Sequence, residues 1–318
     1  MWQRFASGLH EPLGLKVVNG VIHIAQKAEL TRLIDTDGDG EADLYECVNA
    51  DWGFDGNMHY FAYGPALDAR GNFLITLDGN TADWKPRWDS PYRGWAVKIS
   101  PDGRKLEGVC SGMRSPNGCF AYGRNADIFA TDNEGYWLGA CKLNHVRPGR
   151  FFGYPSSMPM PREVFQKPDG FDPPAIWFPR RLATSASGGV EIPKGVFGPF
   201  AGQMLVGDFG TSSILRVALE QVNGEWQGAV WPFARGFRSG VNRLLFDSAG
   251  RLLVGQLRRR WSSSGTQEFG LERVSFTGRI PFEVERVHAR RDGFELVFTH
   301  PVDPSTASHP EEDRKSVV

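Results

Sequence analysis

The stretch from Ser111 to Asn133, SGMRSPNGCFAYGRNADIFATDN, is the segment that the rest of the chain repeats in looser form. It holds a Gly-Met-Arg-Ser-Pro turn, an apolar run from Cys119 to Tyr122, a polar turn from Gly123 to Asp127 and a second apolar run from Ile128 to Thr131. That order reads as strand, tight turn, strand. Ser7 to Gly14, SGLHEPLG, matches SGMRSPNG and leads into another such pair around Asn19-Gly20. Gly236 to Gly240, GFRSG, leads into a third, turned by Asp247-Ser-Ala-Gly250, and Asp68-Ala-Arg-Gly71 turns a fourth. Gln203 to Gly207, QMLVG, is a further relative. Matching Ile24, Ile75, Ala130, Val206 and Val254 gives steps of 51, 55, 76 and 48 residues. Repeats of about 40 to 50 residues with about four strands each mark the blades of a β-propeller.

The other strands of each unit follow. Leu30 to Ile34, Trp95 to Ser100, Ile214 to Leu219 and Leu271 to Phe276 share an apolar-x-Arg/Lys-apolar core, or a close variant of it, and each meets a turn. Outer strands are expected after those turns, as at Lys105 to Cys110 and Phe282 to Val287. The chain therefore reads as an all-β propeller of six-bladed type, with five recognisable four-stranded units near 7–50, 57–110, 111–165, 175–233 and 236–287. Met1 to Ala6 reads as the last strand of an incomplete sixth. Either the ring closes with five blades or a further blade lies upstream. Residues 1–290 form the propeller on this reading, and 291–318 are the start of a further β domain or a disordered tail.

Composition agrees: 38 Gly and 21 Pro in 318 residues suit short strands and tight turns. The net charge of -1 offers no basis for a nucleic-acid partner, and no apolar run is long enough to span a membrane. MWQRFASGL lacks a basic region followed by an apolar core, so it does not read as a signal peptide. Cys47, Cys110, Cys119 and Cys141 show no Cys-x-x-Cys spacing and read as plain buried thiols.

Asp35 to Glu46, DTDGDGEADLYE, carries carboxylates at loop positions 1, 3, 5, 9 and 12 with Gly at 6, the calcium-loop pattern. Asp35, Asp37, Asp39 and Glu46 would bind Ca²⁺ directly, Glu41 through its carbonyl and Asp43 through water. Because the flanks are strand-like, a calcium-clipped hairpin is expected rather than a helical sensor. A plain acidic hairpin is the alternative.

Function is sought in the turns that open each unit, since these line one mouth of the central channel. Those turns hold His10, His59, Arg114, Asn117, Arg238, Asn242 and Arg243. His59 at the start of a strand is a candidate proton acceptor, against the alternative of a structural histidine. Arg114 and Arg238 occupy equivalent places in two units and would repel without an anion between them, or each pairs with a neighbouring blade. Lys142 to Pro155, KLNHVRPGRFFGYP, reads as a rigid loop at the mouth bearing Asn144 and His145, or else as a packed strand and aromatic turn. Trp84, Trp88, Tyr92 and Trp95 stack on sugar faces or pack blade to blade.

GMRSPNG, DARGNFLITLDGN, ATDNEG and KLNHVRPGRFFGYP together resemble the glucose/sorbosone dehydrogenase-like quinoproteins over about residues 5–290. The resemblance is nearest to the branch of membrane-bound dehydrogenases with an associated haem c domain. It implies that a sugar hydroxyl gives its proton to His59 while hydride passes to pyrroloquinoline quinone (PQQ), with Arg114 supporting the quinone oxygens. Asn117, Asn144, His145, Arg238 and Arg243 would complete the cofactor site, and Ca²⁺ would accompany it. The resemblance also implies a sugar or aldose substrate, a haem c domain or cytochrome as electron acceptor, and a periplasmic or extracellular location. The sequence departs from the family at GDFGTSSILRV, which has no Lys where the family places a quinone-binding one. A carbohydrate- or partner-binding propeller without catalysis, and a calcium-dependent lactonase-type hydrolase, are the other readings.

Overall fold

Asn19 and Gly20 both take positive φ, 49° and 81°. Such a two-residue turn matches the twist of the strands it joins, so β2 (Val21–Ala25) folds back on β1 (Gly14–Val18) in register. With β3 (Leu30–Ile34) and β4 (Leu44–Asn49) they form a four-stranded antiparallel sheet. The structure, a computed structural model, describes residues 3–54, 59–79, 90–135, 138–155, 169–258 and 261–307.

The same meander recurs. The second sheet holds β5 (Ala62–Leu67), β6 (Phe73–Leu77), β7 (Ala96–Ile99) and β8 (Leu106–Cys110). The third holds β9 (Gly118–Tyr122), β10 (Asp127–Asp132), β11 (Lys142–His145) and β12 (Ile176–Trp177). The fourth holds β13 (Ala186–Glu191), β14 (Met204–Asp208), β15 (Ser213–Val222) and β16 (Glu225–Arg235). The fifth has three strands among the described residues, β17 (Gly240–Phe246), β18 (Leu252–Leu257) and β19 (Phe269–Val274). The innermost strand of each sheet packs against that of the next, so the protein is an all-β propeller. No helix among the described residues is long and apolar enough to cross a membrane.

Period-two alternation gives each sheet two apolar faces, and these meet as the core. Trp52, Phe73, Ile75 and Val97 lie in the cluster at the first and second sheets, and Ile128, Ala130 and Cys110 in that at the second and third. Phe129, Leu143, Val206 and Leu215 belong to the third and fourth, and Leu205, Ile214, Val241 and Val254 to the fourth and fifth. Between the fifth sheet and the first the described residues form no such cluster. Leu15 (58% exposed) and Leu271 (57% exposed) stand on these two sheets. Among the described residues, the fifth sheet is thus not packed on the first as the other sheets pack on their neighbours.

Two expectations about the ends need correction. Residues 3–6 form no strand; Phe5, Ala6 and Leu9 instead cover Ile22, Ile24 and Leu33 on the outer face of the first sheet. Met1 and Trp2 lie outside the described residues, as do Trp84, Trp88 and Glu311 to Val318. The strand expected to complete the fifth sheet is β20 (Val284–Arg290), which pairs with β21 (Gly293–Phe298) in a separate hairpin and packs on β15 and β16. The hairpin spans the expected boundary at 290.

Arg216 gives the reason. Its fully buried guanidinium lies between the rings of Phe200 (4.2 Å) and Trp231 (4.5 Å). It donates to the carbonyls of Val284 (2.7 Å) and Glu285 (2.9 Å) and to Gln203 Oε1 (2.7 Å). Such a cation needs acceptors, and β20 supplies them.

Candidate functional site

Four of the five sheets end their second strand in the same way. Gln26 Oε1 accepts the amide of His10 (2.5 Å), and Gln256 Oε1 that of Ser239 (2.8 Å). Asp132 Oδ1 accepts the amides of Arg114 (3.0 Å) and Ser115 (2.8 Å); Asp208 Oδ2 accepts those of Thr184 (3.0 Å) and Ser185 (2.8 Å). Each side chain clamps its own opening turn, meeting donors that would otherwise be buried unpaired. The following residue then donates its amide back to that turn: Lys27 to His10 O, Asn133 to Ser115 O, Phe209 to Ser185 O.

The second sheet departs by one residue. Asp78 donates its amide to Phe61 O at 3.0 Å, which puts it where Asn133 and Phe209 stand; Leu77 takes the clamp position. Asp78, Asn133, Phe209 and Leu257 all line a cavity of about 370 Å³ at the channel mouth. His59, Phe61, Tyr63, Arg114, Ser115 and Asn117 share its wall, and Trp261 closes one side. The Trp261 ring lies 5.7 Å from that of His59 and 6.0 Å from that of Phe61.

The floor is a polar plug across three sheets. Arg243 donates through Nε to Leu13 O (3.0 Å) and through Nη1 to Asn117 Oδ1 (3.0 Å) and Asn242 O (2.7 Å). Asn117 Nδ2 donates to Asn242 Oδ1 at 3.0 Å. Burial pulls the Arg243 guanidinium down to about 10. Beneath the Arg114 turn, Lys142 Nζ lies 2.6 Å from Asp132 Oδ2, both side chains at most 1% exposed. Burial pushes the Asp78 carboxyl well above the ordinary range; Ser115, Arg114 and Tyr63 offset part of this and Asp132 adds to it.

His59, Arg114 and Asn117 therefore come together, as the sequence implies, while four other candidates do not join them. Arg238 is outside the cavity lining, its Nε 3.3 Å from Glu272 Oε1. Arg243 is spent on the plug. Asn144 and His145 belong to β11, which runs away from the mouth after Lys142. Asn144 is fully buried with neither side-chain atom hydrogen-bonded, and His145 stacks on Phe129 at 5.0 Å. Of the aromatic insertion, Tyr92 and Trp95 pack edge to face at 6.0 Å beside the core of the first two sheets.

These residues do not fit PQQ. The quinone carries three carboxylates, whereas Arg114 is the one arginine or lysine among the described residues lining the cavity, with Asp78 and Glu134 as acids. Phe209 and Gly210 line the wall in the GDFG segment, and a Cβ at Gly210 would fall 2.0 Å from Thr184 Oγ1. Any side chain there would have to displace the Thr184 hydroxyl.

In the acidic hairpin the structure gathers Asp35, Asp37 and Asp39, with carboxylate oxygens within 4.8 Å of one another. Asp35 accepts the amides of Gly38 (2.7 Å) and Gly40 (2.9 Å), and Asp39 that of Glu41 (2.8 Å). Asp43 instead holds Thr36 through its amide and hydroxyl, both at 2.7 Å, which lowers its carboxyl. Glu46 lies on β4 opposite Arg32 and takes its Nε at 3.0 Å. Of the six expected ligands, the structure gathers three carboxylates, Asp35, Asp37 and Asp39, in the turn between strands. If it holds Ca²⁺, a hundredfold excess over Kd adds about 2.7 kcal/mol of stability. Melting with calcium against chelator should register that gain. Asp37→Ala should remove it and Glu46→Ala should not; indifference of the wild type to both additions would exclude the site.

No family model matches the chain, and no curated protein is similar in sequence. Solved structures are similar in architecture. A glucose dehydrogenase matches with TM-score 0.64 at 15% identity over 86% of each chain. A Trichoderma reesei carbohydrate-active enzyme matches with TM-score 0.58 at 14% identity, over 81% of this chain and 80% of that one. The apo soluble aldose sugar dehydrogenase of Escherichia coli matches with TM-score 0.53 at 16% identity, over 76% and 73%. At such identities the likeness is one of architecture, and the chain has the fold of the glucose and aldose sugar dehydrogenases.

Proposed function

We propose that the channel mouth binds a neutral sugar or aldose, without requiring a bound quinone. The observation that carries this is the lining itself. Trp261, Phe61 and Phe209 give apolar ring faces, while Ser115, Asn133, Thr184 and Ser185 offer hydrogen-bonding groups in the same cavity. A pyranose has the matching surfaces, C–H faces for aromatics and hydroxyls for polar groups. Sugar dehydrogenases among the architectural neighbours support this ligand class.

Quinone-dependent oxidation of a sugar hydroxyl, with His59 taking the proton, is the second reading. His59 and Arg114 on one cavity wall favour it. The single arginine of the described cavity lining weighs against it.

Calorimetric titration with D-glucose and, separately, with PQQ distinguishes the two. Saturable glucose binding in the absence of quinone is expected, with no PQQ binding and no dye reduction. Trp261→Ala should weaken glucose about tenfold, since an aromatic face contributes about 0.5–1.5 kcal/mol. Tight PQQ binding with dye reduction would overturn the proposal in favour of the second reading.

A further inference from the structure

We propose that the mouth cavity carries a carboxylate subsite at Arg114, so that a sugar with one acid group, a hexuronate, binds more tightly than its neutral parent. This rests on the sugar-binding reading and extends it from the neutral sugar to the singly charged acid.

The argument begins with the pairing of the cations around the mouth. Lys142 is held by Asp132, Arg238 by Glu272 and Arg180 by Glu134, while Arg243 serves the plug. Arg114 differs. It is partly exposed and lines the cavity, and among the described residues its guanidinium has no hydrogen bond or ion pair. A guanidinium offers five donors in a planar fork that a carboxylate matches with two oxygens. Left in a half-enclosed site without an acceptor, it favours a ligand that brings one.

The acids of the lining do not fill that role. Glu134 Oε1 accepts from Arg180 Nη2 at 2.9 Å. Asp78 is 1% exposed and forms no ion pair with Arg114 among the described residues. Burial also pushes its carboxyl well above the ordinary range, which leaves it a poor counter-charge.

Arg114 is also held in place. Its amide donates to Asp132 Oδ1 at 3.0 Å, and its carbonyl accepts from the Gly79 amide at 2.7 Å. The stem runs against Gly135, where a Cβ would fall 3.1 Å from Arg114 Cδ. A cation fixed beside the aromatic faces of Trp261 and Phe61 suits a pyranose that carries its carboxylate on the ring. One arginine matches one carboxylate, where the three of PQQ go unmatched.

Calorimetric titrations at pH 7 with D-glucose, D-glucuronate and D-glucuronamide test this. Wild type should prefer glucuronate over glucose by about tenfold or more, the worth of a charge-assisted hydrogen bond. Glucuronamide, which has the same shape without the charge, should show no such preference. Raising the salt concentration should shrink the preference in the wild type, a readout that needs no variant. Arg114→Gln should bring the glucuronate-to-glucose ratio near one, and Arg114→Lys should keep part of it.

Glucose binding with no preference for glucuronate would overturn the subsite and leave the sugar reading standing. A preference that persists in Arg114→Gln, or that glucuronamide shares, would overturn the role of Arg114. Absence of binding by all three sugars would sink the sugar reading, and the subsite with it.

Discussion

Lys142→Met is expected to destabilise the protein by about 3 to 5 kcal/mol, the cost of leaving a buried carboxylate without its cation. Asp132 would keep the Arg114 and Ser115 amides on Oδ1 but lose the ammonium 2.6 Å from Oδ2. The methionine stem fills similar space, so the loss reports charge rather than cavity. Asp132→Asn added to Lys142→Met should recover much of it, because the neutral amide still accepts from the turn through one oxygen and needs no cation. Denaturant unfolding of the single and double variants reads both values. Equal stability of wild type and Lys142→Met would contradict the pairing. The same pair fixes the turn bearing Arg114, so the single variant should also weaken ligand binding at the mouth.

Arg216→Met should release the hairpin formed by β20 and β21. The guanidinium bonds two backbone carbonyls and Gln203, and hydrogen bonds to charged groups contribute about 1.5–3 kcal/mol each. Gln203 Nε2 still reaches Glu285 O at 2.9 Å, so docking is weakened rather than abolished. Hydrogen exchange should accelerate at residues 284–298 by about a hundredfold or more, since about 1.4 kcal/mol is a factor of ten. Exchange in β5 and β6, on the second sheet away from the hairpin, should change little. Uniform acceleration across all sheets would mean that Arg216 supports the whole fold instead of the docking of its end.

Much of the ring is legible in the sequence because a blade repeats one local pattern. The SGxxxPxG turns, the Asn19-Gly20 hairpin and the apolar-x-Arg/Lys-apolar strands each follow from neighbours in the chain, and the strands form where they are expected. His59, Arg114 and Asn117 reach the mouth for the same reason, since all three lie in opening turns. What failed depends on distant contacts. Arg238 follows the same turn pattern as Arg114, yet Glu272 on β19 draws it outward. Arg243 serves Leu13 and Asn117, more than a hundred residues away. Asn144 and His145 lie on a strand whose direction the local sequence does not state. Asp78 was within reach: the polar residue ending the second strand comes two after Ile24, Ala130, Val206 and Val254 but three after Ile75. That single extra step moves a carboxylate from the clamp into the cavity.

Soaking crystals of the protein with D-glucose, without quinone, tests the central claim most directly. The account predicts sugar density in the mouth cavity, with one ring face on Trp261 or Phe61 and hydroxyls within hydrogen-bonding distance of Ser115 or Asn133. Glucose bound elsewhere with the mouth empty would contradict it, as would a mouth that fills only when PQQ is supplied.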